Sequence, residues 1–243
     1  MPKIRIDQLL VQKKLVETRT KAQSYIMAGV VFVNDKKIEK SGTLVPHDAE
    51  IHIKVAPYQW VSRGGLKLDH ALKHFKISPK DKICMDIGSS TGGFTDVLLY
   101  YDAHKVYAID VGTNQLDWKL RKDKRVVVME KTNFRYLEKN KISDPIDLIV
   151  IDVSFIGLNN ILPNAVAFMN EKTEMISLIK PQFEVGKEDV PKGGIIKDSK
   201  LHLKAVEKIK TLCKDLNLKV LEVIESPVLG AQGNKEFLIH VKT

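Results

Sequence analysis

The stretch Asp86-Ile87-Gly88-Ser89-Ser90-Thr91-Gly92-Gly93-Phe94 decides how this 243-residue chain is read. An apolar run over residues 82–87 precedes it, and a helical pattern over 94–101 follows. The segment is therefore a strand-to-helix turn rich in glycine, which lets the backbone turn sharply and approach a ligand. It is not the dinucleotide pattern G-x-G-x-x-G, because Ser90 takes the second glycine position, and it lacks the lysine of a phosphate-binding loop. Asp86, ahead of the first glycine, is a poor companion for a pyrophosphate. A ligand bearing an amino group and a sulfonium suits it better.

A second expected strand, 105–109, runs into Asp110, whose carboxylate can accept hydrogen bonds from ribose hydroxyls. A tight turn and a solvated aspartate would explain each feature alone. The ordered pair, at consecutive strand ends, points to S-adenosylmethionine. Further strands are expected at 125–130, 147–151, 175–179, 219–224 and 237–241, with helices at 158–168 and 200–216. Such alternation predicts an α/β fold with an open, mostly parallel sheet of seven strands. Ligands bind beyond the carboxyl ends of such strands. Asp152 and Lys180 end two of them, Glu236 stands before the last, and Lys67 lies at the entry to this segment. One charged residue at a strand end is ordinarily solvated. Four converging on one edge suggest a site.

Residues 1–56 follow a different grammar. Ile6, Leu9 and Leu10 fall at helical spacing. Thr18 reads as an N-cap for a helix through Met27, and Gly29 ends it. Residues 30–33 read as a strand running into the turn Asn34-Asp35, and 50–55 as a second extended stretch. Residues 57–63 read as an interdomain linker, which leaves 64–243 as the second domain. Trp60, in that linker, either packs the junction or stacks on a base, and packing is the ordinary role.

The formal net charge is +9, of which +4 falls in residues 1–60. A basic balance suits polyanionic partners, and its density is greatest in the N-terminal quarter. Arg5, Arg19 and Lys21 surround the two short helices, with Lys13 and Lys14 between them. They form either a phosphate-binding surface or a solvated helix face. Pro191-Lys192-Gly193-Gly194-Ile195-Ile196-Lys197 reads as a basic loop, either a wall of the same site or plain surface. No run approaches the roughly 18 apolar residues of a membrane span, and the first residues carry no apolar signal core. The expected location is the cytoplasm. Cys84 and Cys213 sit inside apolar patterns, at a spacing that suits neither a metal nor a redox motif.

Several stretches carry a family resemblance. They are Ser62-Arg63-Gly64-Gly65-Leu66-Lys67-Leu68, Asp86 to Asp96, Asp152-Val153-Ser154-Phe155-Ile156, Lys180-Pro181-Gln182-Phe183-Glu184 and Gly233-Asn234-Lys235-Glu236-Phe237. Here the chain resembles the FtsJ-type Rossmann methyltransferases. With Arg5-Ile6-Asp7-Gln8-Leu9-Leu10 and Thr18-Arg19-Thr20-Lys21-Ala22-Gln23, the whole chain resembles the TlyA family, an S4 RNA-binding domain joined to an FtsJ-like domain.

The resemblance implies a Rossmann-like fold and a catalytic tetrad of Lys67, Asp152, Lys180 and Glu236. It implies a cofactor set of Asp86, Gly88, Ser89, Ser90, Gly92, Gly93, Phe94, Asp110, Val111 and Asn133, and RNA contacts from Arg5, Arg19, Lys21 and Arg63. The implied reaction is methyl transfer from S-adenosylmethionine to cytidine ribose 2′-hydroxyls of ribosomal RNA, as free RNA or in subunits. Lys180 would accept the proton or steer the hydroxyl oxygen, Asp152 would orient Lys180, and Glu236 and Lys67 would orient the ribose. Some members are labelled haemolysins, so a membrane-lysing protein is one alternative. An inactive RNA-binding assembly factor and a dinucleotide oxidoreductase are the others. An arginine ahead of the Trp-Val pair, a family feature, is replaced here by Tyr58 and Gln59.

Overall fold

A computed structural model describes residues 3–16, 18–27, 29–53, 59–230 and 233–243. The chain divides into two units, Met1–Gln59 and Trp60–Thr243. In the first, β1 (Lys3–Arg5) leads directly into α1 (Ile6–Gln12), and α2 (Arg19–Met27) follows. The Thr18 hydroxyl accepts a hydrogen bond from the Lys21 amide at 3.2 Å, as an N-cap does. Past the end of α2, Gly29 takes φ +69°. β2 (Val31–Val33) and β3 (Lys36–Lys37) form a hairpin around Asn34 and Asp35, both with positive φ, which gives the two-residue turn its twist. β4 (Leu44–Pro46) pairs with β1, and β5 (Ile51–Ile53) pairs with β2. Ile6, Leu9, Leu10, Ala22, Ile26 and Val31 fill the core of this unit. The strands β1, β3 and β4 were not expected from sequence: each has only two or three residues, whereas β2 and β5 were legible from the longer apolar or alternating runs 30–33 and 50–55 around them.

The second unit opens with α3 (Gly64–Phe75), also unexpected, since paired glycines ordinarily mark a break. Close packing explains them. A Cβ on Gly65 would collide with the Trp60 ring, and one on Gly93 would lie 3.0 Å from the Gly65 nitrogen. The strands that follow are β6 (Ile83–Ile87), β7 (Lys105–Ile109), β8 (Val126–Met129), β9 (Leu148–Ile151), β10 (Glu174–Ile179), β11 (Lys219–Glu225) and β12 (Phe237–Lys242). They form one sheet in the order β11-β12-β10-β9-β6-β7-β8, parallel except where β12 runs against β10 and β11. The strand order reverses at β6, where β7 and β8 lie on one side and β9 and β10 on the other. That reversal is the switch point at which such sheets bind ligands.

Both faces of the sheet are covered. Met85, Ile87, Ile109, Ile149 and Ile151 share one cluster with Ala205 and Ile209 of the long helix Ser199–Asp215. Cys84, Val106, Leu148 and Val150 share the other with Leu68 and Leu72 of α3 and with Val97 and Leu98 of α4 (Gly93–Tyr100). The alternation along each strand sorts its residues between the two clusters. The expected helix over 158–168 begins as a 3-10 turn, Leu158–Asn160, and continues as a short α-helix, Leu162–Ala167, with Pro163 in its first turn, where no amide is needed. Both cysteines are free and buried, and burial pushes their thiols up, Cys84 to about 12 and Cys213 to about 11.

The linker expected over 57–63 needs correction. Trp60 is buried in the second core, edge-on to Tyr100 at 4.9 Å, and the Val61 amide donates to Asp96 at 2.8 Å. An indole of this size finds its apolar partners in α4, so residues 60–63 belong to the second unit. The reading placed on Tyr58 lies outside the described residues. Among those residues no helix is long and apolar enough to cross a membrane, and no group of acidic, histidine or cysteine side chains could hold a metal ion.

Candidate functional site

Asp86 is the penultimate residue of β6, and its side chain is fully buried. Its Oδ2 accepts a hydrogen bond from Thr95 Oγ1 at 2.6 Å, whereas its buried Oδ1 has no partner among the described residues. Burial pushes this carboxyl up to about 7, and the charges of Asp152 and Asp110 add to the effect. A buried, unmatched acceptor at a switch point calls for a donor, and a cationic donor would answer both the missing bond and the raised pKa.

The glycines are also required by the protein's own packing. A Cβ on Gly88, at φ +84°, would lie 2.6 Å from the Asp152 carbonyl oxygen; one on Gly92, at φ +96°, would strike Leu120. They let protein approach protein. Four of the loop amides are also spent internally. Gly88 and Ser89 donate to the Ile109 carbonyl, Ser90 to Asp110 Oδ2 at 2.8 Å, and Gly92 to the Ser89 carbonyl. These four amides are therefore not available to a pyrophosphate. Asp110 Oδ1 accepts from the Gly112 amide at 2.7 Å, so this carboxylate joins two loops while each oxygen keeps a further lone pair. Ser89 and Phe94 are buried, the latter in the core with Leu116 and Leu120. Val111 is exposed beside Asp110, and Asn133, also exposed, caps the 3-10 turn Phe134–Tyr136.

The four expected tetrad residues come together. Lys180 Nζ lies 2.6 Å from Asp152 Oδ1 and donates to Ser154 Oγ at 2.8 Å. Lys67 Nζ lies 2.6 Å from Glu236 Oε2 and 3.9 Å from Asp152 Oδ2. Lys67, Lys180 and Glu236 are only 6%, 7% and 2% exposed. Burial opposes ionisation of Asp152, but Lys180 and Lys67 outweigh it and hold its carboxyl below the usual carboxylate range. A run of four charges, three of them buried, is a poor stabilising device, since apolar packing of the same volume does as well. The tetrad also adjoins the glycine loop, because the Asp152 carbonyl is what Gly88 makes room for.

Four neighbours escaped the sequence reading as site residues. Ser154 holds Lys180. Glu184, buried and pushed up by that burial, accepts from the Leu158 amide at 2.8 Å and so ties down the loop after β9. Asn234, 2% exposed, grips the basic loop at both amide ends, donating to the Gly194 carbonyl at 2.8 Å and accepting from the Ile196 amide at 2.9 Å. Phe155 is 93% exposed, has φ +65°, and lies 5.5 Å from the Phe183 ring. Nothing in one sequence distinguishes an exposed phenylalanine from a core one. Of the expected RNA residues, Arg5 and Arg19 meet at Asp7, Lys21 lies in the first turn of α2, and Arg63, in the second unit, donates to the Gly230 carbonyl at 3.3 Å.

Sheet order, glycine loop and charged edge together define a Rossmann-like methyltransferase. Residues 60–243 match the family model described as FtsJ-like methyltransferase, and residues 4–51 match the S4 domain. The Mycobacterium tuberculosis protein named 16S/23S rRNA (cytidine-2′-O)-methyltransferase TlyA is 39% identical, over 98% of this chain and 90% of its own length. Hemolysin A of Brachyspira hyodysenteriae is 43% identical, over 98% and 99%. A solved structure from Streptococcus thermophilus, named as a hemolysin, is 43% identical with a TM-score of 0.79, over 100% of this chain and 89% of that one. The chain belongs to the TlyA family of FtsJ-like methyltransferases.

Proposed function

We propose that the protein transfers a methyl group from S-adenosylmethionine to the 2′-hydroxyl of a cytidine in ribosomal RNA. The observation that carries this reading is the Lys180–Asp152–Lys67–Glu236 run, buried beside the glycine loop at the switch point of the sheet. The cofactor brings a methyl group already activated on its sulfonium. Asp86 Oδ1 offers an acceptor to the ammonium and Asp110 to the ribose hydroxyls, and the exposed Val111 and Asn133 would contact the base. Gly88, Ser89, Ser90, Gly92, Gly93 and Phe94 shape the loop that carries them.

The acceptor hydroxyl is the weak partner. It must be aligned and must lose its proton during attack, which together supply much of the rate. Two N–H groups of Lys180 are committed to Asp152 and Ser154. The remaining position of Nζ can donate a hydrogen to the hydroxyl oxygen while charged, or accept the hydroxyl proton on its lone pair once neutral. Asp152 keeps the lysine in that orientation, and the Lys67–Glu236 pair closes the far side against the ribose. Phe155 presents a bare aromatic face next to Ser154, fit to stack on the base of the acceptor nucleotide. A bulky residue held at positive φ is strained, and such strain collects at functional sites.

Ribosomal RNA is the substrate in the relatives' names, and the S4 domain supplies an RNA-binding module beside the enzyme. A cytoplasmic location follows from that substrate. The decisive experiment is tritiated methyl transfer to isolated ribosomal subunits and to free ribosomal RNA, followed by nucleoside mapping. Label in 2′-O-methylcytidine is expected. Label confined to another nucleoside or to protein would sink the reading.

A further inference from the structure

The N-terminal unit buries one carboxylate under two arginines. Asp7, in the first turn of α1, is 0% exposed. Its Oδ1 accepts from Arg5 Nε at 3.0 Å, and its Oδ2 accepts from Arg5 Nη2 at 3.0 Å, Arg19 Nε at 2.9 Å and Gln23 Nε2 at 3.2 Å. Four donors match the acceptor capacity of a carboxylate. Its amide is anchored as well, donating to the Ser41 carbonyl, so its position is set by backbone and side chain alike. Arg5 precedes α1 and Arg19 opens α2, so the two reach the same carboxylate from different elements.

The arginine side chains stay 40% and 51% exposed while Asp7 is hidden beneath them. A guanidinium carries five N–H donors. These contacts use two on Arg5 and one on Arg19, so three and four are left over on side chains that keep this exposure. Flexible surface arginines would lose several rotors on meeting a phosphate; these two are already fixed, and the planar fork fits phosphate oxygens in pairs. An ion pair formed for stability alone has no need of two exposed guanidiniums on one carboxylate.

We propose that Asp7 is a positioning residue that orients Arg5 and Arg19 into one preorganised binding site for RNA phosphodiesters. This rests on the N-terminal unit binding RNA. It makes a prediction opposite in sign to simple electrostatics. Asp7→Asn raises the net charge by one, which on charge alone tightens binding to a polyanion; loss of positioning weakens it.

The test uses the full chain and purified ribosomal RNA, with filter binding between about 50 and 300 mM KCl. Asp7→Asn is expected to bind roughly fivefold more weakly, with a salt slope shallower by about 1 to 2. Added to Arg5→Gln/Arg19→Gln, it should change nothing further, because its effect passes through those side chains. Unchanged or tighter binding by Asp7→Asn overturns the proposal, and so does an equal loss in the arginine-substituted background. If Arg5→Gln/Arg19→Gln alone leaves affinity and slope unchanged, the N-terminal RNA surface itself is wrong. Amide exchange in α1 and α2 reports whether Asp7→Asn still folds. Should it not, Arg19→Lys decides: it keeps the charge but lacks the planar fork, and roughly threefold weaker binding is expected. Binding equal to the parent protein overturns the proposal.

Discussion

The tetrad edge and the Arg5–Asp7–Arg19 cluster use the same chemistry, cations on carboxylates, in opposite surroundings. At the tetrad the cations are hidden, with Lys67 and Lys180 at 6% and 7% exposure, as is Glu236, and only Asp152 is partly open. In the N-terminal unit only the carboxylate is hidden, and the cations face outward. Desolvated charges interact strongly and respond to small displacements, which suits a reaction centre. Exposed cations on a fixed base trade their counterions for phosphates, which suits binding. The two regions should therefore fail differently when a partner is removed.

The largest difference is expected in rate. Lys180→Ala should lower single-turnover methyl transfer by roughly 10²- to 10⁴-fold while cofactor affinity, by isothermal titration, stays within about twofold. Near-normal transfer would remove Lys180 from the chemistry. Stability comes next. Glu236→Gln leaves Lys67 buried without its nearest anion and should cost about 3 kcal/mol in urea unfolding. Arg19→Gln, at a half-exposed side chain, should cost about 1 kcal/mol or less. Equal costs would abolish the contrast between the regions.

A smaller effect tests the exposed aromatic. Phe155→Ala should raise KM for RNA about tenfold through lost stacking, with folding stability within about 0.5 kcal/mol. A large stability loss with KM unchanged would make Phe155 a structural residue.

The gentlest probe is pH. The Asp86 carboxyl stands near 7 in the fold against an ordinary 3.8. Between those values the native state holds a proton that the unfolded chain has released, so this group's contribution to stability falls as pH rises from about 4 to about 7, then levels. Cofactor affinity should run the other way. The ammonium favours the carboxylate, so affinity strengthens as pH rises towards 7, by at most about tenfold per unit, and is flat above. Asp86→Asn should bind more weakly and without this dependence. A pH-dependent affinity surviving in Asp86→Asn would assign the titration elsewhere.

Much of the fold was legible because buried strands announce themselves. The apolar runs at 82–87, 105–109 and 147–151 lie within a residue or two of β6, β7 and β9. The ends of those strands located Asp86, Asp110 and Asp152, since a carboxylate after an apolar run stands out. α3 was missed because Gly64 and Gly65 look like a break, whereas their missing Cβ atoms admit Trp60 and Gly93. Ser154, Glu184 and Asn234 were missed as site residues because a hydrogen bond to a loop 26 to 40 residues away leaves no local pattern.

By itself the sequence determined the alternation of strands and helices, the mostly parallel sheet and the charges at its carboxyl edge, all of which follow from local periodicity. Only the tertiary structure decided which charges are desolvated and which face water. It joined Lys67 to Glu236 across 169 residues, left one oxygen of Asp86 unmatched, turned Phe155 outward and hid Asp7 beneath two arginines. The physical reason is that burial and pairing depend on what the fold brings close, and no window of neighbouring residues contains that distance.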